Sequence, residues 1–386
     1  MCHSFSLTQN LPNENVLLTD QTTVTLSNIE MSEKLFFVLL EKTRVTIGER
    51  FSITKHVDGE DCIRWHRMWE ERPFVLERHG EVVSRLALEN IERMAPNSIG
   101  CSFEEVSLYN TRLINILLKL EIHGDHEIEW LMLATNEKEH VATILAQEEN
   151  ICVGRVKNMT LNGYAVRLLP KTSREGSEVK NLKLTASKEE HVDGIPAQEQ
   201  IGCVGRVKNM ELREYAVGIL PKLSREGSEV ECLKLSASEK EHIDGILAQK
   251  HLFCVRRVRH MTLKDYAVSV LPKLNHGDHE IEFLKLVARK EEHVATILAQ
   301  EQKLCVGRAK EMNLEEYAVF VFLKMKETRE VPKSLKLSIS RDELWRKMQG
   351  ELKEENTVIC IEEVERLTLA EHAVNILPAL KIKREM

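Results

Sequence analysis

The chain has little that would mark it as a membrane protein, a metalloprotein or an enzyme. A typical apolar stretch, Leu35–Leu40, covers six residues, against about 20 for a bilayer-crossing helix. It follows a polar N-terminus, so no secretory leader is expected. There are nine cysteines but no CxxC pair, which argues against a zinc ribbon or a thioredoxin-like site. The odd cysteine count points to reduced thiols and a reducing compartment. No GxxxxGK[ST], GxSxG, HExxH or GxGxxG occurs, so the kinase, ATPase, serine-hydrolase, zincin and dinucleotide classes lose their usual signatures. The net charge of −7 gives no global reason to expect nucleic acid. The expectation is a non-enzymatic cytoplasmic protein, soluble and without cofactor.

What the chain does have is a repeat. CVGRVKNMTLNGYAVRLLPK at Cys152 returns as CVGRVKNMELREYAVGILPK at Cys203, CVRRVRHMTLKDYAVSVLPK at Cys254 and CVGRAKEMNLEEYAVFVFLK at Cys305, each 51 residues on. Between them runs VKNLKLTASKEEHVDGI at Val179, VECLKLSASEKEHIDGI at Val230 and IEFLKLVARKEEHVATI at Ile281. A fixed period of this length means stacked units that bury their apolar faces only against neighbours. Cys101, Cys152, Cys203, Cys254 and Cys305 share one repeat position and read as stacked small hydrophobes.

Each period splits in two. The first half carries Ile128-x-x-Leu131-x-Leu133-x-x-Asn136, then Val179-x-x-Leu182-x-Leu184-x-x-Ser187 and Val230-x-x-Leu233-x-Leu235-x-x-Ser238. Leucines two apart share one face of a strand. A short helix follows, with Val192 and Ile195 on one face. The second half reads Val153-x-x-Val156 and then YAVRLLPK, a helical segment that Pro170 is expected to end. Two strand–helix units of about 25 residues result.

LxxLxLxxN in alternating units of this length resembles the leucine-rich repeat. The nearest variety is that of ribonuclease inhibitor and of the C-terminal repeats of nucleotide-binding, leucine-rich-repeat immune receptors. The resemblance implies an α/β solenoid: a curved horseshoe with a parallel sheet on the concave side and helices on the convex side. Residues 81–386 would form it in 51-residue double repeats. Residues 1–80 would hold degenerate or capping repeats, with Val24-x-Leu26 and, just beyond, Val83-x-x-Leu86-x-Leu88 as strand remnants. The Asn position departs from the pattern at Ser187, Ser238, Arg289 and Ser340. The chain lacks the phosphate-binding loop of the immune receptors, so it reads as a repeat-only relative or a fragment.

Two registers stay open for the second half. If Val156 and Asn158 are the inward pair, units are evenly spaced, at 26 residues (Val156 to Leu182) and 25 (Leu182 to Val207). If Met159 and Leu161 are, the core is more apolar and the spacing becomes 23 and 28.

The residue between the paired leucines must face away from the core. It is Lys183, Lys234, Lys285 and Lys336. In the even register Lys157, Lys208, Arg259 and Lys310 join them. That would make a row of cations about 5 Å apart, broken at Ser107 and Glu365. Such a row suits an acidic surface or segment of a protein partner. Three functions follow: a protein-binding module, innate-immune receptor-like or regulatory; an enzyme inhibitor or adaptor of the ribonuclease-inhibitor kind; and a nucleic-acid binder on the basic surface. His123-Gly-Asp-His126 and His276-Gly-Asp-His279 read as exposed turns rather than metal sites, having too few ligands. The recurrent His140, His191, His242 and His293 read as packing or helix-start residues.

Overall fold

The computed structural model of the chain describes residues 4–7, 17–65, 73–80, 83–122, 127–148, 150–151, 153–172, 178–195, 207–223, 230–249, 253–255, 258–275, 280–300, 309–324, 332–346, 359–362 and 364–383. Its main element is a twelve-stranded sheet whose order follows the chain. The strands are β1 (Phe74–His79), β2 (Phe103–Tyr109), β3 (Glu127–Thr135), β4 (Arg155–Gly163), β5 (Val179–Ala186), β6 (Val207–Glu214), β7 (Cys232–Ala237), β8 (His260–Asp265), β9 (Ile281–Ala288), β10 (Ala309–Glu316), β11 (Ser334–Ile339) and β12 (Arg366–Glu371). Short helices alternate with them, an arrangement compatible with a repeat solenoid. The chain divides into two compact units: of the described residues, those up to Val179 belong to the first and those from Lys180 onward to the second.

Neighbouring strands of the long sheet pair in parallel, as β-strands joined by helical crossovers must. Register answers the question that spacing left open. Met210 stands beside Leu233 and Leu212 beside Leu235. Met261 and Leu263 stand between Leu233/Leu235 and Leu284/Leu286. In the first unit Met159 and Leu161 face Leu131 and Leu133. The inward pair of the second half-repeat is therefore Met–Leu, and the even register is not the one adopted. Met159, Met210, Met261 and their leucine partners are all buried. Burying two large apolar side chains per strand is worth several kcal/mol, about 1.5–3 for each, and unequal connections absorb the uneven spacing at little entropic expense.

The same positions recur at the strand ends. Glu214, Asp265, Glu316 and Glu371 have φ of +55°, +56°, +58° and +55°, and Gly163 stands at the equivalent place with +63°. This backbone region is unfavourable for residues with a Cβ. Here it turns the chain out of the strand into helical segments at Tyr164–Leu168, Tyr215–Ile219 and Tyr266–Lys273. Pro170 does not end the helical segment: it lies in a further turn, Leu169–Thr172. An early helical position tolerates proline because its N–H has no intrahelical partner. The first-half strands are followed by α-helices at Glu139–Ala146, Glu241–Leu247 and Glu292–Leu298.

The N-terminal part of the first unit holds a three-stranded parallel sheet (Ser4–Leu7, Thr23–Leu26, Arg44–Ile47). It also contributes strands to a five-stranded sheet, in which Ile29–Ser32 pairs antiparallel with Ile63–Trp65. Val24 and Leu26 lie buried on a strand, as their spacing suggests. Leu86 and Leu88 do not: they belong to the helix Arg85–Arg93, which Ser84 caps by accepting from the Ala87 N–H. The serine cap outweighs the strand-like spacing. Asn90 of that helix is fully buried, donating to Leu40 O and Thr43 O and accepting from the Val45 N–H. It ties the end of the helix Glu33–Lys42 to the strand that follows. Among the described residues, no helix is long and apolar enough to cross a membrane.

Candidate binding face

Alternation in the strands leaves every second side chain on the face away from the buried leucines and methionines. In the second unit Lys183, Lys234, Lys285 and Lys336 occupy that face, on β5, β7, β9 and β11. The strands between do not continue the row with cations. Glu211 and Thr262 flank Lys234, Thr262 and Asn313 flank Lys285, and Asn313 and Thr368 flank Lys336. The lysines thus stand on alternate strands, about 10 Å apart rather than 5. Mutual repulsion at that separation is largely screened at physiological salt.

Lys157, Lys208, Arg259 and Lys310 lie near or just before the strand starts, out of this row, because the register is the Met–Leu one. Three of them are held by glutamates: Lys157 by Glu129 at 2.6 Å, Lys208 by Glu231 at 3.3 Å and Lys310 by Glu280 at 2.9 Å. The hydrogen bond to its glutamate, ahead of any other cause, raises the pKa of Lys157 and likewise of Lys310. Arg259 is exposed. Ser107 is in line with Met132 on the first unit's face. Glu365 lies before β12, where it pairs with Lys333 at 3.3 Å.

Two cations that spacing did not single out complete the pattern. Arg213 and Lys264 are exposed two residues further along β6 and β8, with Ser236 of β7 between them. Lys183, Arg213, Lys234, Lys264 and Lys285 therefore form a zigzag, one cation on each strand from β5 to β9, with steps of about 8 Å. Glu315 ends it by pairing with Lys285 at 2.6 Å. Arg213 is bound at 2.5 Å by Glu211. Among the described residues Lys183, Lys234, Lys264 and Lys336 make no ion pair. The signal was present in the sequence: VKNMTL at Val156 has the same apolar pattern as VKNLKL at Val179. Aligning them puts Thr160 opposite Lys183 and identifies Arg213 and Lys264 as the next outward positions.

The outward face of the first unit has other chemistry. Val75, Tyr109, Trp130 and Met132 are 42%, 47%, 37% and 36% exposed. Val75, Glu105 and Trp130 are consecutive register partners across β1, β2 and β3, as are Glu77, Ser107 and Met132.

The recurrent histidines serve the helix starts. His242 Nδ1 accepts from the Glu239 N–H at 3.2 Å and His293 Nδ1 from the Lys290 N–H at 3.3 Å, satisfying donors that the first turn leaves open. All four are buried. His242 and His293 pack against Tyr215 and Tyr266, with ring centroids 4.4 and 4.6 Å apart. Tyr266 donates to Glu292 at 2.7 Å, and that bond, with burial, pushes its pKa up to about 12. Cys101 is buried. Cys152, Cys203 and Cys305, the side chain of Cys254, and both His-Gly-Asp-His turns lie outside the described residues.

Comparison with known proteins finds no matching family model, no matching curated protein and no matching solved structure.

Proposed function

We propose that the chain is a non-catalytic leucine-rich-repeat protein that binds another protein through the outward face of its long sheet. In this reading the second unit takes an acidic segment of the partner. The observation that carries it is the zigzag Lys183, Arg213, Lys234, Lys264 and Lys285, one outward cation on each of five successive strands. A polypeptide crossing the strands could place carboxylates at steps of about 8 Å, two residues or so of extended chain. Rim-type charges of this kind set on-rate and selectivity more than raw affinity. A regulatory or immune-receptor-like role, or inhibition of an enzyme in the manner of ribonuclease inhibitor, would use the same face; both rest on the repeat resemblance.

The test is titration of the protein with a glutamate-rich peptide, wild type against the triple variant Lys234→Glu, Lys264→Glu, Lys285→Glu. Binding should be lost in the variant and should weaken as salt rises. Equal binding by the two proteins sinks the proposal. An oligonucleotide that binds more tightly than the peptide, with a steep logarithmic salt slope, would replace it with nucleic-acid recognition.

A further inference from the structure

We propose that the first unit carries a second binding face, opposite in chemistry to the basic one, that takes a basic protein segment bearing a bulky apolar anchor. Its floor is the outward side of β1, β2 and β3. Four large apolar or amphipathic side chains stand there with a third or more of their surface in water: Val75, Tyr109, Trp130 and Met132. Single exposed apolar residues are ordinary on a protein surface, but a cluster on one sheet face marks an interaction site. They occupy three adjacent strands, so the patch is about 10 Å across. Beneath them Ser107, although on the outward side, is only 5% exposed and stands between Glu77 and Met132 in the sheet. Neighbouring side chains therefore close over the centre of the patch, where an aromatic anchor laid on them would be shielded from water and contribute most.

Charge selects the occupant. Glu105 lies directly between Val75 and Trp130, and among the described residues it makes no ion pair. Glu77 stands two residues along β1, where it meets His79 at 2.6 Å. Glu127 is exposed at the start of β3. On the neighbouring strand β4, Lys157 is already held by Glu129, and Arg155 stands beside Glu127. A phosphate backbone or an anionic lipid surface would be repelled here, whereas an arginine can meet Glu105 and lie over the indole of Trp130. The equivalent outward positions on the first-half strands of the second unit hold Asn181, Cys232, Phe283 and Ser334 at the Trp130 place and Lys183, Lys234, Lys285 and Lys336 at the Met132 place. Phe283, between His260 and Glu311, keeps an aromatic at the Trp130 place, but Lys285 stands where Met132 would, so an aromatic beside an exposed methionine is particular to the first unit's strand.

The experiment uses the full chain and a short synthetic peptide in which arginines flank a pair of leucines. Two control peptides replace the arginines by glutamate and the leucines by serine. Calorimetric titration should show binding of the parent peptide only. Trp130→Ala should weaken it roughly tenfold or more, the scale of a central aromatic anchor, and Glu105→Lys should weaken it by a similar factor. Met132→Ser provides a second apolar test, and unchanged thermal unfolding of these outward variants certifies their fold. A Lys234→Gln, Lys264→Gln, Lys285→Gln protein should bind the basic peptide like wild type, which separates this face from the basic one. No binding of the parent peptide, equal binding of the glutamate control, or full binding by both Trp130→Ala and Met132→Ser overturns the proposal.

Discussion

The carboxylate of Glu214 accepts two hydrogen bonds from Ser238, just past the end of the following strand, from its backbone N–H at 3.0 Å and its hydroxyl at 2.7 Å. The repeat uses this link again. Glu316 accepts from the Ser340 N–H at 3.2 Å and from its hydroxyl, and Asp265 accepts from Arg289 at 3.0 Å. Each acid is one of the residues with positive φ. An acidic side chain at the strand end therefore secures the next unit's turn from a strained backbone position.

Replacing Glu214 separates the strain from the bonds. Glu214→Ala keeps the strained φ and loses both bonds together with the contact to His242 at 2.7 Å, so it should destabilise by about 1–3 kcal/mol. Glu214→Gly loses the same bonds and relieves the strain, so it should be the more stable of the two. Urea denaturation ranks them, and the opposite order would show that the positive φ is not costly here.

Gly163 occupies the same position without a carboxylate. A Cβ there would lie 2.1 Å from the Thr135 carbonyl oxygen, and the backbone cannot easily yield. Gly163→Ala should destabilise by roughly 2 kcal/mol or more. Gly245, inside the helix Glu241–Leu247, has nothing within 4 Å of its would-be Cβ. Gly245→Ala should stabilise by about 0.5–1 kcal/mol. Thermal unfolding of the two variants should move in opposite directions.

The buried histidines should make stability fall in mild acid. Burial is the first cause lowering the pKa of His140, His191 and His293 below the ordinary 6.5. Opposing it are Glu137 and Glu139 at His140, Glu190 at His191, and Asp265 and Glu292 at His293; Arg112, Lys188, Lys290 and Arg289 reinforce it. Below about 6.5 the unfolded chain takes protons that the folded chain refuses, so stability is full above that pH and is lost as pH falls through the lowered folded values. Denaturation midpoints taken from neutral pH downwards should decline, and His293→Gln should make the decline shallower. A midpoint rising through that interval would contradict the assignment.

Register is testable by contrast within one strand. Leu212 is fully buried while Lys208 is exposed. Leu212→Ala should destabilise by about 2–5 kcal/mol, and Lys208→Ala by no more than about 0.5. Comparable effects of the two would argue for a different register of β6.

The sequence alone determined the 51-residue period, the alternation of strand and helix, and the outward placement of Lys183, Lys234, Lys285 and Lys336. These are local: leucines two apart commit a strand to one buried face wherever its neighbours stand. Which residues of the second half-repeat face inward was decided by tertiary packing. Val156, Met159 and Leu161 all bury, and the sheet accepts unequal connections to achieve it, whereas even spacing of the chain carries no comparable energy. That choice removed Lys157, Lys208, Arg259 and Lys310 from the row and brought Arg213 and Lys264 onto the face. The acid-to-serine links were likewise beyond the sequence, because they join residues 24 apart through a backbone conformation that glutamate rarely adopts. The aromatic face of the first unit needed both levels: Trp130 and Tyr109 are visible in the sequence, but only the pairing of β1, β2 and β3 sets Glu105 beside Trp130.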